Sequence, residues 1–398
     1  MIWTPPNRGP VTMPILTPFT AAMGGLSSGG VAPTSGTCGT AARLGLFPIF
    51  LPEPFTVAKA FWCNGATVGT DSWDIGAYRC TDQTTGRMDL IRSTGAVLSA
   101  NANVVQESGT WKVAANAAAI TTGSDSTDGT TFTTASVTLK AGRLYLLSFT
   151  NTAASAAAPS GIAGGGTWTS RSSTQYNTTA HRVSIWSSVP TVDYAGTIVI
   201  TFGATQTGAS WALNEFSGVD TTTTDGIVQQ AVGTGNSTTP LATLAAFGSA
   251  NNATFGANAN TADSTTTPGA GFTELSDLGA AVTPAQFLQT QWRVDNDTTS
   301  DGTITSGQWG ACAVEIKADA SPFIIPPSLP GNPNVYMAMT VSGTTATVLR
   351  ATSVFGSSRA AGALELTSTY PLPSTLTPVV LTAIRTPLGG FSSRSLIG

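Results

Sequence analysis

The chain has 398 residues, enough for two or three domains. Its net charge of −4 and its 10% of charged residues leave no basic cluster, so nucleic acid is not an expected partner. With 9 Trp and 16 Phe it is too aromatic for a disordered chain, and no run approaches the ~18 apolar residues of a membrane span.

Residues 1–40 carry Pro5-Pro6, Pro10, Pro14, Pro18 and Pro33 with Gly24-Gly25 and Gly29-Gly30. Pro removes backbone donors and Gly adds chain entropy, so no regular helix is expected. The segment reads as a linker or as an extended arm that orders on a neighbouring subunit, and the arm is the reading carried forward. Residues 44–62 form apolar strands broken by Pro48, Pro52 and Pro54, which suits the edge of a sandwich. In residues 61–106, Trp73, Ile75 and Ala77 alternate with Asp74, Gly76 and Tyr78, the period of a half-buried strand. Thr84-Thr85-Gly86 marks a hairpin, and Ser93-Thr94-Gly95 marks a further turn.

A long stretch of different character follows Trp111-Lys112-Val113. Its strand signals are Ser136–Leu139, Leu144–Phe149, Arg182–Trp186 and Gly196–Phe202. Trp211–Asp220 (WALNEFSGVD) is echoed by Trp309–Ile316 (WGACAVEI), which suggests paired central strands of one sandwich. Helical periodicity is confined to a turn or two within Ala280–Leu288. Residues 321–332 are Pro-rich and read as a hinge, after which Val335–Met339 supplies another strand.

These motifs carry a resemblance. Asp74-Ile75-Gly76-Ala77-Tyr78, then Arg92-Ser93-Thr94-Gly95 and Gln106, resemble the "D-x-G-x-Y … stG … Q" pattern of a β-sandwich module in virion proteins of tailed bacteriophages. That module continues into a strand that Val335-Tyr336-Met337-Ala338-Met339 matches here only after the long stretch. It then closes with Arg359–Gly362, Tyr370–Pro373 and Pro387–Phe391. The stretch between, with its Glu215–Asp220 strand end, is similar to a second jelly-roll-like module of phage and bacterial surface proteins.

The expectation is an all-β protein of two jelly-roll-like β-sandwich domains, one inserted into the other, with an extended N-terminal arm. The arm is 1–40, the anchoring sandwich 41–116 with 333–398, the inserted sandwich 117–320 and the hinge 321–332. The resemblance implies a non-enzymatic tail, baseplate or fibre component of the virion that projects an adhesion domain. A capsid decoration or head-fibre protein, or a carbohydrate-binding protein, are the alternatives. Implied partners are further copies of itself, other virion proteins and a host surface glycan. Met1–Pro14 lacks a secretory apolar core, so the expected route is synthesis in the host cytoplasm followed by packaging.

Candidate chemistry is sparse, and no cofactor is expected. Gly25-Leu26-Ser27-Ser28-Gly29 fits a nucleophile-elbow pattern, but its flanks are loop-like and His181 is the only histidine. Asp295, Asp297 and Asp301 lie in one Asn- and Gly-containing segment that reads as a turn or as a cation loop. Asp125 and Asp128-Gly129 pose the same choice. Glu215 and Glu315 sit at matching strand ends. A glycosidase pair and structural acceptors for Arg182 or Arg293 are the two readings. Trp168, Tyr176, Trp186, Trp211, Trp292 and Trp309 form either core and subunit contacts or a platform for stacking sugars. Cys38, Cys63, Cys80 and Cys312 lack zinc spacing. Buried thiols and a Cys63–Cys80 disulfide both fit.

Overall fold

The computed structural model describes residues 43–376 apart from 50, 52, 83–85, 103–104, 263–264, 281–284, 328–334, 346, 351–363 and 368–369. Strands at 15–16, 34–37 and 389–392 are described as well. Strand accounts for 61% and helix for 1%, so the chain is all-β. It divides into two compact units, one of residues 1–110, 321–372 and 377–398, the other of 111–320 and 373–376.

The main sheet of the first unit runs Leu364–Thr367, Arg43–Ile49, Val335–Val341, Ser72–Asp82, Arg87–Ser93. Arg43–Ile49 is therefore not simply an edge strand. Its residues 44–46 are paired on both sides, with Val335–Val341 and with Leu364–Thr367. Pro48 pairs with Tyr336 of Val335–Val341. Ser72–Asp82 occupies the sheet interior between two partners. Asp74, Gly76 and Tyr78 are buried along with Trp73, Ile75 and Ala77, so the strand is covered on both faces rather than one.

Of the expected arm, only 15–16 and 34–37 are described. They pair with 391–392 and 347–350 of the same chain; the loop at Ser27 lies outside the described residues. The expected hinge also enters a sheet. Phe323–Ile325 pairs with Phe55–Val57, and Phe323 meets Phe391 edge-on at 5.7 Å.

The second unit contains two sandwiches, where one was expected. Number eight strands along each half. In the first they are Thr121–Asp125, Gly129–Thr133, Leu144–Thr152, Pro159–Ala163, Thr169–Tyr176, His181–Ser188, Val199–Gln206 and Gly208–Ser217. In the second they are Ile227–Ser237, Leu241–Thr243, Ala253–Asn260, Thr267–Pro268, Thr273–Ala280, Gln286–Val294, Thr299–Thr303 and Gly307–Ile316. Both halves pair them in one large sheet of order 1-8-3-6-5 and one small sheet of order 2-7-4.

The likeness reaches single residues. Strand five is bulged against strand six between Ser170 and Ser172 in one half and between Glu274 and Ser276 in the other. A glycine on strand one faces the tryptophan of strand eight in each, Gly123 with Trp211 and Gly235 with Trp309. A Cβ on Gly123 or Gly235 would lie 2.6 Å or 2.5 Å from the indole ring, so these positions admit no side chain. Trp211–Ser217 and Trp309–Ile316 are thus equivalent strands of separate sandwiches. They are not partners in one sheet, as their similarity suggested.

The two large sheets pack face to face. Leu144, Leu146, Val183, Ile185, Ala212 and Phe216 of the first meet Phe255, Ala257, Leu288, Trp292, Cys312 and Val314 of the second. The small sheets cover the outer faces, which gives four layers. Leu144–Thr152 is buried along its whole length because it lies in an inner layer. Gln286–Leu288, expected within a helical turn, belongs to a strand of the second large sheet.

Candidate functional site

The motif residues of the first unit converge on Asp74. Its carboxylate is fully buried and accepts from the Leu372 N–H at 2.8 Å, the Thr94 hydroxyl at 3.2 Å and the Ser93 hydroxyl at 3.4 Å. The Ile75 N–H donates in turn to Thr94 Oγ1. Burial pushes the Asp74 carboxyl up to about 6, against the pull of these donors. Gly76 is required by crowding, since a Cβ would sit 2.7 Å from the Arg92 carbonyl oxygen and 2.9 Å from Leu372. Arg92 reaches the carbonyl and the hydroxyl of Ser321, each at 2.7 Å.

Gln106 closes the pattern. It donates to the Leu98 carbonyl and accepts from the Ala100 N–H and the Asn64 amide, while Asn64 accepts from the Trp62 indole. The bonds of Asp74 to Leu372, of Arg92 to Ser321 and of Asn64 to Gln106 join segments far apart in the chain, while those of Gln106 to Leu98 and Ala100 are local. The Leu372 N–H, 298 positions from Asp74, is the member that sequence reasoning missed. No local pattern signals a partner at that separation.

The six aromatics of the second unit are distributed over different cores. Trp168 and Trp211 lie in the first sandwich with Trp186 packed on them, Tyr176 and Trp292 lie between the large sheets, and Trp309 lies in the second sandwich. Trp168 donates to the Gly164 carbonyl at 2.6 Å and Trp309 to Ser237 at 2.9 Å. Trp292 meets Phe216 edge-on, and the Tyr176 hydroxyl lies 3.1 Å from Thr150. Sugar stacking needs an open ring face, and five of the six are at least nine-tenths buried. The six therefore assemble no common platform.

The carboxylates are engaged locally. Glu315 accepts from Asn252 at 2.6 Å and Gln229 at 2.7 Å, and Glu215 lies 4.0 Å from Arg143. Glu315 thus fits the reading as a structural acceptor, with Asn252 and Gln229 in place of an arginine. Arg182 bonds Ala156 and Ser173, and Arg293 forms a two-pronged pair with Asp295 and a third bond to Asp297. Asp295 and Asn296 take positive φ, as a tight turn requires. The segment is a turn neutralised by Arg293. Among the described residues, no group of three or more His, Cys, Asp or Glu is placed to hold a metal ion. Cys63, Cys80 and Cys312 are not disulfide-bonded. Cys63 and Cys80 belong to strands of different sheets, and Cys38 lies outside the described residues.

One polar constellation was not foreseen. Between the sheets of the second sandwich, Asn258 donates to Gln289, Gln289 to Gln291, and Gln291 to Ser300 and the Asp301 carbonyl. Asn260 donates to Thr266, whose N–H donates to Asp277 at the rim. Burial, with Glu274 nearby, raises Asp277 to about 6. The Asn258 Oδ1 is buried without a partner. Alternating Asn and Gln in Phe255–Asn260 and Phe287–Gln291 are the sequence signal, a polar stripe on a strand that is buried on both faces.

Compared with known proteins, the chain matches no family model, and no curated protein or solved structure matches it significantly.

Proposed function

We propose that the chain is a non-enzymatic structural protein of a tailed-bacteriophage virion, a tail, baseplate or fibre component. In this reading the first unit anchors it to the particle, and the inserted 111–320 unit projects toward the host surface. The Asp74 cluster is the observation that carries the reading. The short motif that resembles the phage module consists of residues whose work is to lock segments together, as an assembly subunit needs and a catalyst does not.

Two further features support it. The strand orders 1-8-3-6 and 2-7-4 in each half support a jelly-roll-like reading, from which strand five departs by joining strand six in the larger sheet. A chain with only 10% charged residues loses little solvation energy when its surface is covered by neighbours. Further copies of the chain and other virion proteins are the partners proposed.

Immunogold electron microscopy of purified particles, with antibody raised against residues 111–320, tests the assignment. Gold at the tail or its tip is the expected outcome. Gold spread over the head would transfer the chain to the capsid-decoration class, and particles without gold would remove it from the virion.

A further inference from the structure

We propose that the seam between the two sandwiches of the 111–320 unit is a joint that acid loosens, with His181 as its sensor. His181 opens strand six of the first sandwich and is fully buried. Its Nε2 lies 3.2 Å from the carbonyl oxygen of Ala285, at the start of strand six in the second sandwich. Its Nδ1 lies 3.2 Å from the Asn177 side-chain nitrogen. A carbonyl can only accept and an amide nitrogen only donate, so this geometry fits the neutral ring protonated on Nε2. The ring also lies against Tyr176, tilted by 31° with centroids 5.1 Å apart, and Tyr176 packs over Gly310 of the second sandwich so tightly that a Cβ there would meet it at 2.6 Å.

A second proton would go onto Nδ1, facing a donor, in a place where no counter-ion is supplied. On its own hairpin the ionisable neighbours are Tyr176 and Arg182, and the Arg182 guanidinium is committed to Ala156 and Ser173. From the second sandwich comes Cys312, whose thiol donates to the Val183 carbonyl and is pushed up to about 12 by burial. No carboxylate bonds the ring among the described residues, and desolvation holds its pKa below the usual histidine value.

The plane it guards is weakly sealed. Ser148, Ser210, Asn214 and Gln286 alternate with the apolar seam residues on their strands, and each has a fully buried side-chain atom without a partner. Such groups gain water when the sheets part, which lowers the cost of opening there.

The sign follows from the depressed pKa. The neutral ring's contribution to stability is complete above the value of an exposed histidine, about 6.5, and is lost as pH falls through the lower folded value. Asp277 acts in the opposite sense, because a raised carboxyl favours the folded state in acid.

Hydrogen–deuterium exchange of the full chain at pH 7 and pH 5, corrected for intrinsic rates, is the test. Peptides covering 181–188 and 286–294 should exchange faster at pH 5, by at most about 25-fold, because pH 5 lies only ~1.5 units below the value of an exposed histidine. His181→Phe keeps an aromatic ring and His181→Gln keeps a donor. Both should erase the acid effect whatever they do to the baseline. Asp277 is common to all three proteins, so the same change of rate between pH 7 and pH 5 in the parent and in both variants overturns the proposal.

Discussion

The first sandwich of the 111–320 unit is filled by rings and branched chains, while the second, with the same strand order, is filled largely by amides. Counted from the strand-five bulge, Leu147, Phe149 and Trp186 of the first large sheet are matched by Gly256, Asn258 and Gln291 of the second, a register two residues away from the one in which Trp211 matches Trp309. Opposite them, Ile200 and Phe202 are matched by Ser300 and Gly302. The second pair of sheets lies close, since a Cβ on Gly256 would collide with the Ser300 hydroxyl. The difference separates what sets a topology from what stabilises it. Strand order, the strand-five bulge and the glycine under the tryptophan are kept in both halves. The filling has changed from apolar volume to hydrogen bonds, whose net worth per group is smaller.

The sharpest way to break this comparison is to hollow each core in turn. Phe149→Ala should cost about 3–5 kcal/mol and Asn258→Ala about 1 kcal/mol, read by urea unfolding of the 111–320 signals. Equal costs would mean that the two fillings contribute alike. Next in size is Glu315→Ala, which strands the buried Asn252 and Gln229 donors and should cost about 2–3 kcal/mol by the same measurement. The shared frame is probed by Gly123→Ala and Gly235→Ala, each expected to cost about 1–3 kcal/mol through collision with an indole. A large loss at one glycine beside none at the other would deny their equivalence. The smallest effect is expected from Asp277→Asn. Relative to the variant, the parent protein should lose stability as pH rises from about 4 to 6, because folding raises this carboxyl while Asp74 and His181 are common to both. The variant should flatten that slope in thermal melts without moving the acid plateau.

The all-β class was legible because alternation and turn residues are local signals. The echo between Trp211 and Trp309 was legible too, yet its meaning was not. One phrase repeated in a chain fits two strands of one sheet as well as one strand in each of two sandwiches. Only register decides, and Trp211 pairs with Gly123 while Trp309 pairs with Gly235. Pro48 looked like an edge marker, yet Leu44, Gly45 and Leu46 of its own strand have partners on both sides. The tryptophans could not be sorted by sequence, since an indole that stacks on a sugar and one that fills a sandwich occupy strands of similar pattern. The chain separation of Asp74 and Leu372 hid the latch that the motif serves.

In both sandwiches the first strand is hydrogen-bonded to the last. Thr121–Asp125 has no ladder until Gly208–Ser217 has been made, and Ile227–Ser237 none until Gly307–Ile316 has. Such closure is a long-range event, the kind that slows folding and leaves strands waiting without partners. On the ribosome each half must therefore stay open until its eighth strand emerges. The first half completes its ladder before the second, and its seam face then stands uncovered while some hundred residues are still to be translated (at ~5–20 residues per second, a matter of seconds). That face carries Leu144, Leu146, Val183 and Phe216. Synthesis thus exposes a sticky intermediate for a predictable interval, and crowding by sister chains during that interval is where this architecture is most open to mispairing.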